Sequence, residues 1–434
     1  MSDNEKRYDS NKVSFNEIKG TPLVTFILCF IGMVMSTADQ ALFSYAIPGI
    51  VSEFNISLDE VGLLLTYSFL LASVILVFTG TLSDIFGRRK MFVILLCSSA
   101  FFVGLHAITE SFSLLSIFRI LGFAIAAGLY PITLTIVIEV APARLRGLFG
   151  GLLQISYPIG FFLASLIAAP LIDELGWRSI FYPAFLIIPL ALIIGFKLKE
   201  PEIFIDLQKG RKELDTKDSL NTDKISSIKS NLCELFSKKL ITRTILCFFG
   251  TFFLSLAIGG ITYFLPTFLV SDRGITESLA AQISGFSYLI GAPGYIIASS
   301  VGEFVTTRRN TVVLWAWLGA SAFVFTVWFA EGTLMLITGF GLTVMFLFGT
   351  ESVRMPLLGE IFPTHIRATA TSVVGSMGVT FGWLLVPILL TKLSPLVGWN
   401  LTWTICAIVP VLVSGCLFLI LKNYPSGVDI NEIT

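Results

Sequence analysis

Long apolar runs dominate the chain. They fall at about 22–50, 60–79, 91–110, 113–137, 148–171 and 179–196, and resume at about 242–270, 278–301, 310–330, 333–358, 368–391 and 399–421. Each is near the ~20 residues that a helix needs to cross a bilayer. One long polar stretch, from Glu200 to about Ile241, separates the sixth run from the seventh. It is too short for a soluble catalytic domain and reads as a cytosolic linker with a short amphipathic helix near Ile225–Phe236. The pattern predicts an all-α membrane protein with twelve transmembrane helices in two six-helix bundles. The expected divisions are a tail (1–20), a first bundle (21–199), a central loop (200–241), a second bundle (242–421) and a second tail (422–434).

Composition supports the class. Hydrophobic residues make up 55% and charged residues 13%, where a soluble chain carries roughly 25% charged residues. Net charge is zero, and nothing points to a nucleic-acid partner. The placement of cations says more than their sum. Of 29 lysines and arginines, 24 fall on the side of the N-terminal tail, and Arg178, Arg273 and Lys392 fall on the other. That bias puts both termini in the cytoplasm of a cell (inner or plasma) membrane. The first twenty residues are charged and lack the apolar core of a signal peptide, so the first run reads as a retained span. The six cysteines include no CxxC spacing, and His106 and His365 are the two histidines, so no metal site is expected.

The chain repeats itself. Glu139-Val-Ala-Pro-Ala-Arg-Leu-Arg146 after the fourth run returns as Glu360-Ile-Phe-Pro-Thr-His-Ile-Arg367 after the tenth, 221 residues later. Arg88-Arg89 returns as Arg308-Arg309 at 220, and Tyr45-x-x-Pro48 as Tyr263-x-x-Pro266 at 218. Three echoes at nearly one spacing imply duplication of a six-helix half, a layout that places a transporter's site between repeats.

Between the second and third runs lies Gly80-Thr-Leu-Ser-Asp84-Ile-Phe-Gly87-Arg88-Arg89-Lys90. It reads as a charged turn of about ten residues between antiparallel helices, held at the cytoplasm by three cations. Gly80, Asp84, Gly87, Arg88 and Arg89 resemble the G-x-x-x-D-x-x-G-R-R/K signature of the major facilitator superfamily. The two E-x-x-P-x-x-x-R segments are similar to those of its sugar porter and aromatic-acid:proton symporter branches. The resemblance implies alternating access around a central cavity. It makes Asp84, Arg88, Glu139, Arg146, Glu360 and Arg367 members of a cytoplasmic gate, with Glu303 and Arg308 in the second half. There Phe304 stands in the acid's place and Glu303 one position earlier, so the second gate is expected to lock more weakly. The plainer reading of these segments is topological anchoring alone.

Ionisable residues inside spans are costly and mark function. Asp39, Arg119, Glu351 and Arg354 qualify. Counted along helices, Asp39 lies ~16 Å and Arg119 ~9 Å from their outer ends, a difference that an extended arginine bridges. Arg119 opens Arg-Ile-Leu-Gly122, which resembles the R-x-x-x-G motif of proton-coupled members. Asp39 is therefore expected to carry the coupled proton and Arg119 to pair with it; a static ion pair is the alternative. Glu351 and Arg354 share a helix face, and their repeat counterparts are Tyr130 and Thr133. Arginine takes a carboxylate bidentately, so Arg354 hints at an anionic substrate, unless the two charges merely satisfy each other. Gln40, Tyr45, Gln154, Tyr157, Tyr263, Gln282, Tyr288 and Trp383 are softer cavity candidates.

No phosphate-cradling loop occurs, so the proton gradient, not ATP or a bound cofactor, is the expected energy source. The helix-5 antiporter signature of the superfamily is replaced by Ser156-Tyr-Pro-Ile-Gly160. The expected function is proton-coupled symport of a small organic solute, with a carboxylate preferred, by a monomer. A sugar or polyol symporter, a drug or metabolite antiporter, and a non-transporting sensor remain as alternatives.

Overall fold

The computed structural model describes residues 19–142, 145–201, 204, 232–363 and 366–423. Most of the central loop, including 225–231 of the expected amphipathic helix, and both tails lie outside the described residues.

Among the described residues, twelve helices are long and apolar enough to span a membrane. In chain order they are α1 (Thr21–Phe54), α2 (Leu58–Phe86), α3 (Arg88–Ile108), α4 (Phe112–Val140), α5 (Arg146–Leu175) and α6 (Trp177–Lys197). The second set is α7 (Ile241–Ser271), α8 (Glu277–Val305), α9 (Arg308–Phe329), α10 (Thr333–Ile361), α11 (Thr371–Val397) and α12 (Trp399–Ile420). Helices satisfy every backbone polar group internally, which hydrocarbon demands. Their ends are closed by local chemistry. Asn55 adopts the left-handed conformation (φ 49°) that ends α1, and the Ser57 amide donates to the Glu60 carboxylate at 2.8 Å to start α2. Ser111, Thr276 and Thr307 cap α4, α8 and α9 through their hydroxyls.

The ten-residue turn expected after the second run does not form. Helix α2 continues to Phe86 and α3 begins at Arg88, leaving Gly87 alone as the break. Its φ of 100° belongs to glycine, and a Cβ there would come within 3.2 Å of the Glu200 carboxylate. The apolar Leu82, Ile85 and Phe86 let the helix run on past the apolar span.

The two sets pack as bundles, α1–α6 and α7–α12. They meet through α1 with α7, α2 with α11, and α5 with α8. The last two contacts exchange under the duplication, as a pseudo-two-fold axis requires. We call the face bearing the N-terminal end of α1 the linker face and the other the distal face. Towards the distal face the bundles touch closely. The Thr66 hydroxyl donates to the Leu384 carbonyl at 3.1 Å, and a Cβ on Gly285 of α8 would meet the Ser165 hydroxyl of α5 at 1.8 Å. Towards the linker face they part around a vestibule of about 410 Å³ between α5, α8 and α10. Helix breaks cluster at mid-depth, at Gly128 in α4, Ile155 in α5 and Ala292–Pro293 in α8.

Candidate functional site

Both bundles contribute to a central cavity of about 160 Å³. Its wall is largely aromatic, with Tyr130 and Tyr157 from the first bundle and Tyr295, Phe348 and Trp383 from the second. Thr37, Gln154 and Ser156 supply polar groups, and Glu351 is the one charged side chain of the wall. Pockets for drug-sized ligands occupy ~300–1,000 Å³, so this one admits a small solute. Tyr295 lines both this cavity and the vestibule, which ends at Glu303 and Arg308. The two cavities thus adjoin at Tyr295, with the vestibule on the linker-face side.

An aromatic seal closes the distal side. Phe69 from α2 meets Phe123, Tyr263 and Trp383 with ring centroids 4.8, 5.7 and 5.6 Å apart. Beside it, Phe161 of α5 packs on Tyr288 of α8 at 4.4 Å. The Tyr157 and Tyr288 hydroxyls converge on Thr262 Oγ1 at 3.3 and 3.5 Å, joining the bundles.

The four charges inside spans are not paired as expected. Asp39 and Arg119 are buried, at 3% and 1% exposure, but no ion pair joins them. The physical reason lies in the helix ends. Because α1 runs to Phe54, Asp39 sits ~22 Å from the distal end of its helix and Arg119 ~10 Å from its own. Arg119 instead lays its guanidinium over Phe43 at 4.1 Å, Phe123 at 5.0 Å and Tyr263 at 5.8 Å. Such cation–π contacts hold a desolvated cation without a counter-ion. Oδ2 of Asp39, and Nε and Nη2 of Arg119, are buried without a hydrogen-bond partner.

Glu351 and Arg354 do pair. Arg354 is fully buried; its Nε donates to Glu351 Oε1 at 3.2 Å, its Nη2 donates to Oε2, and its Nη1 reaches Thr251 Oγ1 at 3.4 Å. Arg354 is thus placed behind Glu351 and does not itself line the cavity.

The softer candidates divide. Gln154, Tyr157 and Trp383 line the cavity. Tyr263 and Tyr288 belong to the seal. Tyr45 is a strut, its hydroxyl donating to the Phe161 carbonyl at 2.8 Å within the first bundle. Gln282 is exposed on the opposite face of α8 from the buried Ser284 and Ser287, and Gln40 is half-buried outside the cavity wall. Counting polar residues within spans does not tell these cases apart, because the facing direction depends on how the helices pack. Tyr130, Thr37, Tyr295 and Phe348 were missed. For Tyr130 a signal existed, since it is the repeat counterpart of Glu351.

The charged network at the linker face is assembled from segments far apart in sequence. Arg88 pairs with Glu139 at 2.7 Å and with Asp84 at 3.6 Å. Glu200, which sequence reasoning missed, accepts from the Arg88 amide at 2.6 Å and the Arg89 amide at 3.2 Å, capping the N-terminus of α3. Arg88 also lies 4.6 Å over the Phe204 ring. A Cβ added at Gly80 would meet nothing within 4 Å.

In the second half the expected erosion is a shift of register. A π-helical turn over Val301–Val305 takes up the extra residue between acid and arginine. Glu303 thereby reaches Arg308 at 2.8 Å, and Arg308 also pairs with Glu360. Phe304 points away and is 85% exposed. Acid, arginine and second acid recur as Glu303–Arg308–Glu360 and Asp84–Arg88–Glu139, so the second half keeps the full set of pairs, around an arginine more exposed than Arg88. Arg146 is exposed, and Arg367 is half-buried beside Gly359.

Two pseudo-symmetric charge networks at one face of two six-helix bundles accompany a sequence match over residues 29–350 to the Major Facilitator Superfamily. The chain belongs to that superfamily. This member is 28% identical over 402 residues to the cis,cis-muconate transport protein of Acinetobacter baylyi, covering 90% of this chain and 93% of that one. It is 24% identical to the 4-hydroxybenzoate transporter PcaK of the same organism, covering 93% and 91%. Its fold is similar to that of the xylose transporter XylE from E. coli in an inward open conformation, with a TM-score of 0.71, 17% identity, and coverage of 95% and 99%.

Proposed function

We propose that this facilitator carries a small organic carboxylate across the membrane by alternating access, driven by protons. The observation that supports it best is the central cavity: both bundles build it, an aromatic seal closes it distally, and a vestibule adjoins it at Tyr295 on the linker-face side. Rocking the bundles about this cavity exchanges the closed side for the open one. The predominance of cations near the linker face makes that face cytoplasmic, with both termini inside. The flat aromatic wall suits a planar or unsaturated acid, in keeping with relatives named for muconate and 4-hydroxybenzoate transport. Asp39 is the acid that takes the coupled proton. In the distal-open state the Arg119 guanidinium leaves Phe43 and pairs with it. The functional unit is a monomer, and no bound cofactor takes part.

Uptake of cis,cis-muconate, 4-hydroxybenzoate and D-xylose into proteoliposomes, with external pH recorded, tests the reading. Accumulation of an acid with external alkalinisation is expected. Proton release during efflux would make it an antiporter, xylose uptake alone a sugar symporter, and no movement of any solute a sensor.

A further inference from the structure

Glu351 is used by nothing in the mechanism above, yet it is the charged group that a solute in the cavity meets first. Behind it lies Arg354, fully buried and oriented by three contacts: two to Glu351 and one to Thr251. The other cation inside the spans, Arg119, is walled off by Phe43, Phe123 and Tyr263.

We propose that Glu351 is a built-in stand-in for the substrate's carboxylate: the solute displaces it from Arg354, and Glu351 takes up one proton as it leaves. This inference rests on the carboxylate reading of the cavity and deepens it.

The charges require both halves of the exchange. An empty carrier must not close around a bare buried arginine, because an unpaired charge in the low-dielectric interior is strongly destabilising. The Glu351 carboxylate neutralises Arg354 in that state. A substrate carboxylate offers the same two oxygens to the same fork. Once it binds, the cavity would hold two anions against one cation, and the released Glu351 must be protonated for the site to close neutral. The proton comes from water in the vestibule, which Tyr295 joins to the cavity. Other groups facing Glu351 are Tyr130 from α4, Tyr157 from α5 and Tyr295 from α8, all phenols that are neutral near pH 7, so no other cation of the cavity wall competes for its charge. Helix α10 keeps the pair together because residues three apart share a face.

The test is calorimetry of benzoate and nicotinate binding to the purified full-length protein in detergent at pH 7, in buffers of different ionisation enthalpy. Wild type and Asp39→Asn should each take up about one proton per bound acid, while Glu351→Gln should take up none and bind about tenfold tighter or more. Binding to wild type without proton uptake overturns the inference, as does uptake abolished by Asp39→Asn. These two outcomes need no Glu351 variant, so they stand even if Glu351→Gln fails to fold. If neither acid binds wild type, this inference falls, and the uptake assay decides whether the carboxylate reading falls with it; if both bind without proton uptake, this inference alone falls.

Discussion

The Arg119 guanidinium rests on the Phe43 ring, one helical turn along α1 from the unpaired carboxylate of Asp39. Asp39 and Phe43 are four residues apart and share a face, so a slide of about one turn, ~5.4 Å, would exchange the ring for the carboxylate. On the proposed function, Arg119 alternates between these two partners, and this structure holds the aromatic one.

Asp39→Asn should weaken proton-driven accumulation, leaving the share carried by the proton on Glu351, while exchange of substrate across the membrane stays intact because the cavity wall is untouched. Accumulation and counterflow assays in the same proteoliposomes separate the two. Unchanged accumulation would move the coupled proton elsewhere.

Phe43→Leu retains bulk but removes the ring face under Arg119. A desolvated cation–π contact is worth ~1–2 kcal/mol, so the melting temperature in detergent should fall by a few degrees. A larger share of molecules should adopt the distal-open state, measured by distances between spin labels on the distal ends of α1 and α7.

Gly285 sits where α8 presses on α5. Gly285→Val forces side-chain atoms into the position of Ser165 and should wedge the distal side open, since a packed interface yields by rearrangement rather than compression. Transport should be lost, and a thiol-free variant carrying a cysteine in place of Tyr157 should become reactive to a membrane-impermeant maleimide from the distal face. Reactivity confined to the linker face would show that the seal has held.

At the linker face, Gly87→Ala places a Cβ in a left-handed backbone against the Glu200 carboxylate. Strain of this kind costs ~1–3 kcal/mol, so thermal stability should drop by more than for Glu200→Gln, which loses charge but keeps the cap. Equal losses would mean that the backbone at Gly87 tolerates a side chain.

The π turn of α8 makes a test of register possible. Glu303→Gln should cost less than ~1 kcal/mol, because the pair with Arg308 is partly exposed and screened. Adding Phe304→Asp, which restores the acid at the position the repeat spacing suggests, should not recover the loss, since that side chain faces outwards. Recovery in thermal melts would mean that α8 has reverted to regular winding.

Much of this protein follows from its sequence. Twelve helices, two sets of six, the repeat and the residues of both charge networks can be read from runs, spacings and motifs, because a bilayer compels each apolar run into a closed helix. Four charges in hydrocarbon could be picked out for the same reason. Glu200 escaped notice because a helix cap depends on the fold returning α6 beside α3, which no local pattern records.

Partners and facings were decided by tertiary packing. Where α1 ends set the distance between Asp39 and Arg119, and rings from three helices took the guanidinium. The one extra residue before Arg308, read along the chain as decay, was absorbed by a π turn that restored the pair. Gln282 and Gln154 look alike in sequence, but one faces outwards and the other the cavity. A helix's composition determines that it spans; its rotation and depth are fixed by contacts with neighbours that lie hundreds of residues away.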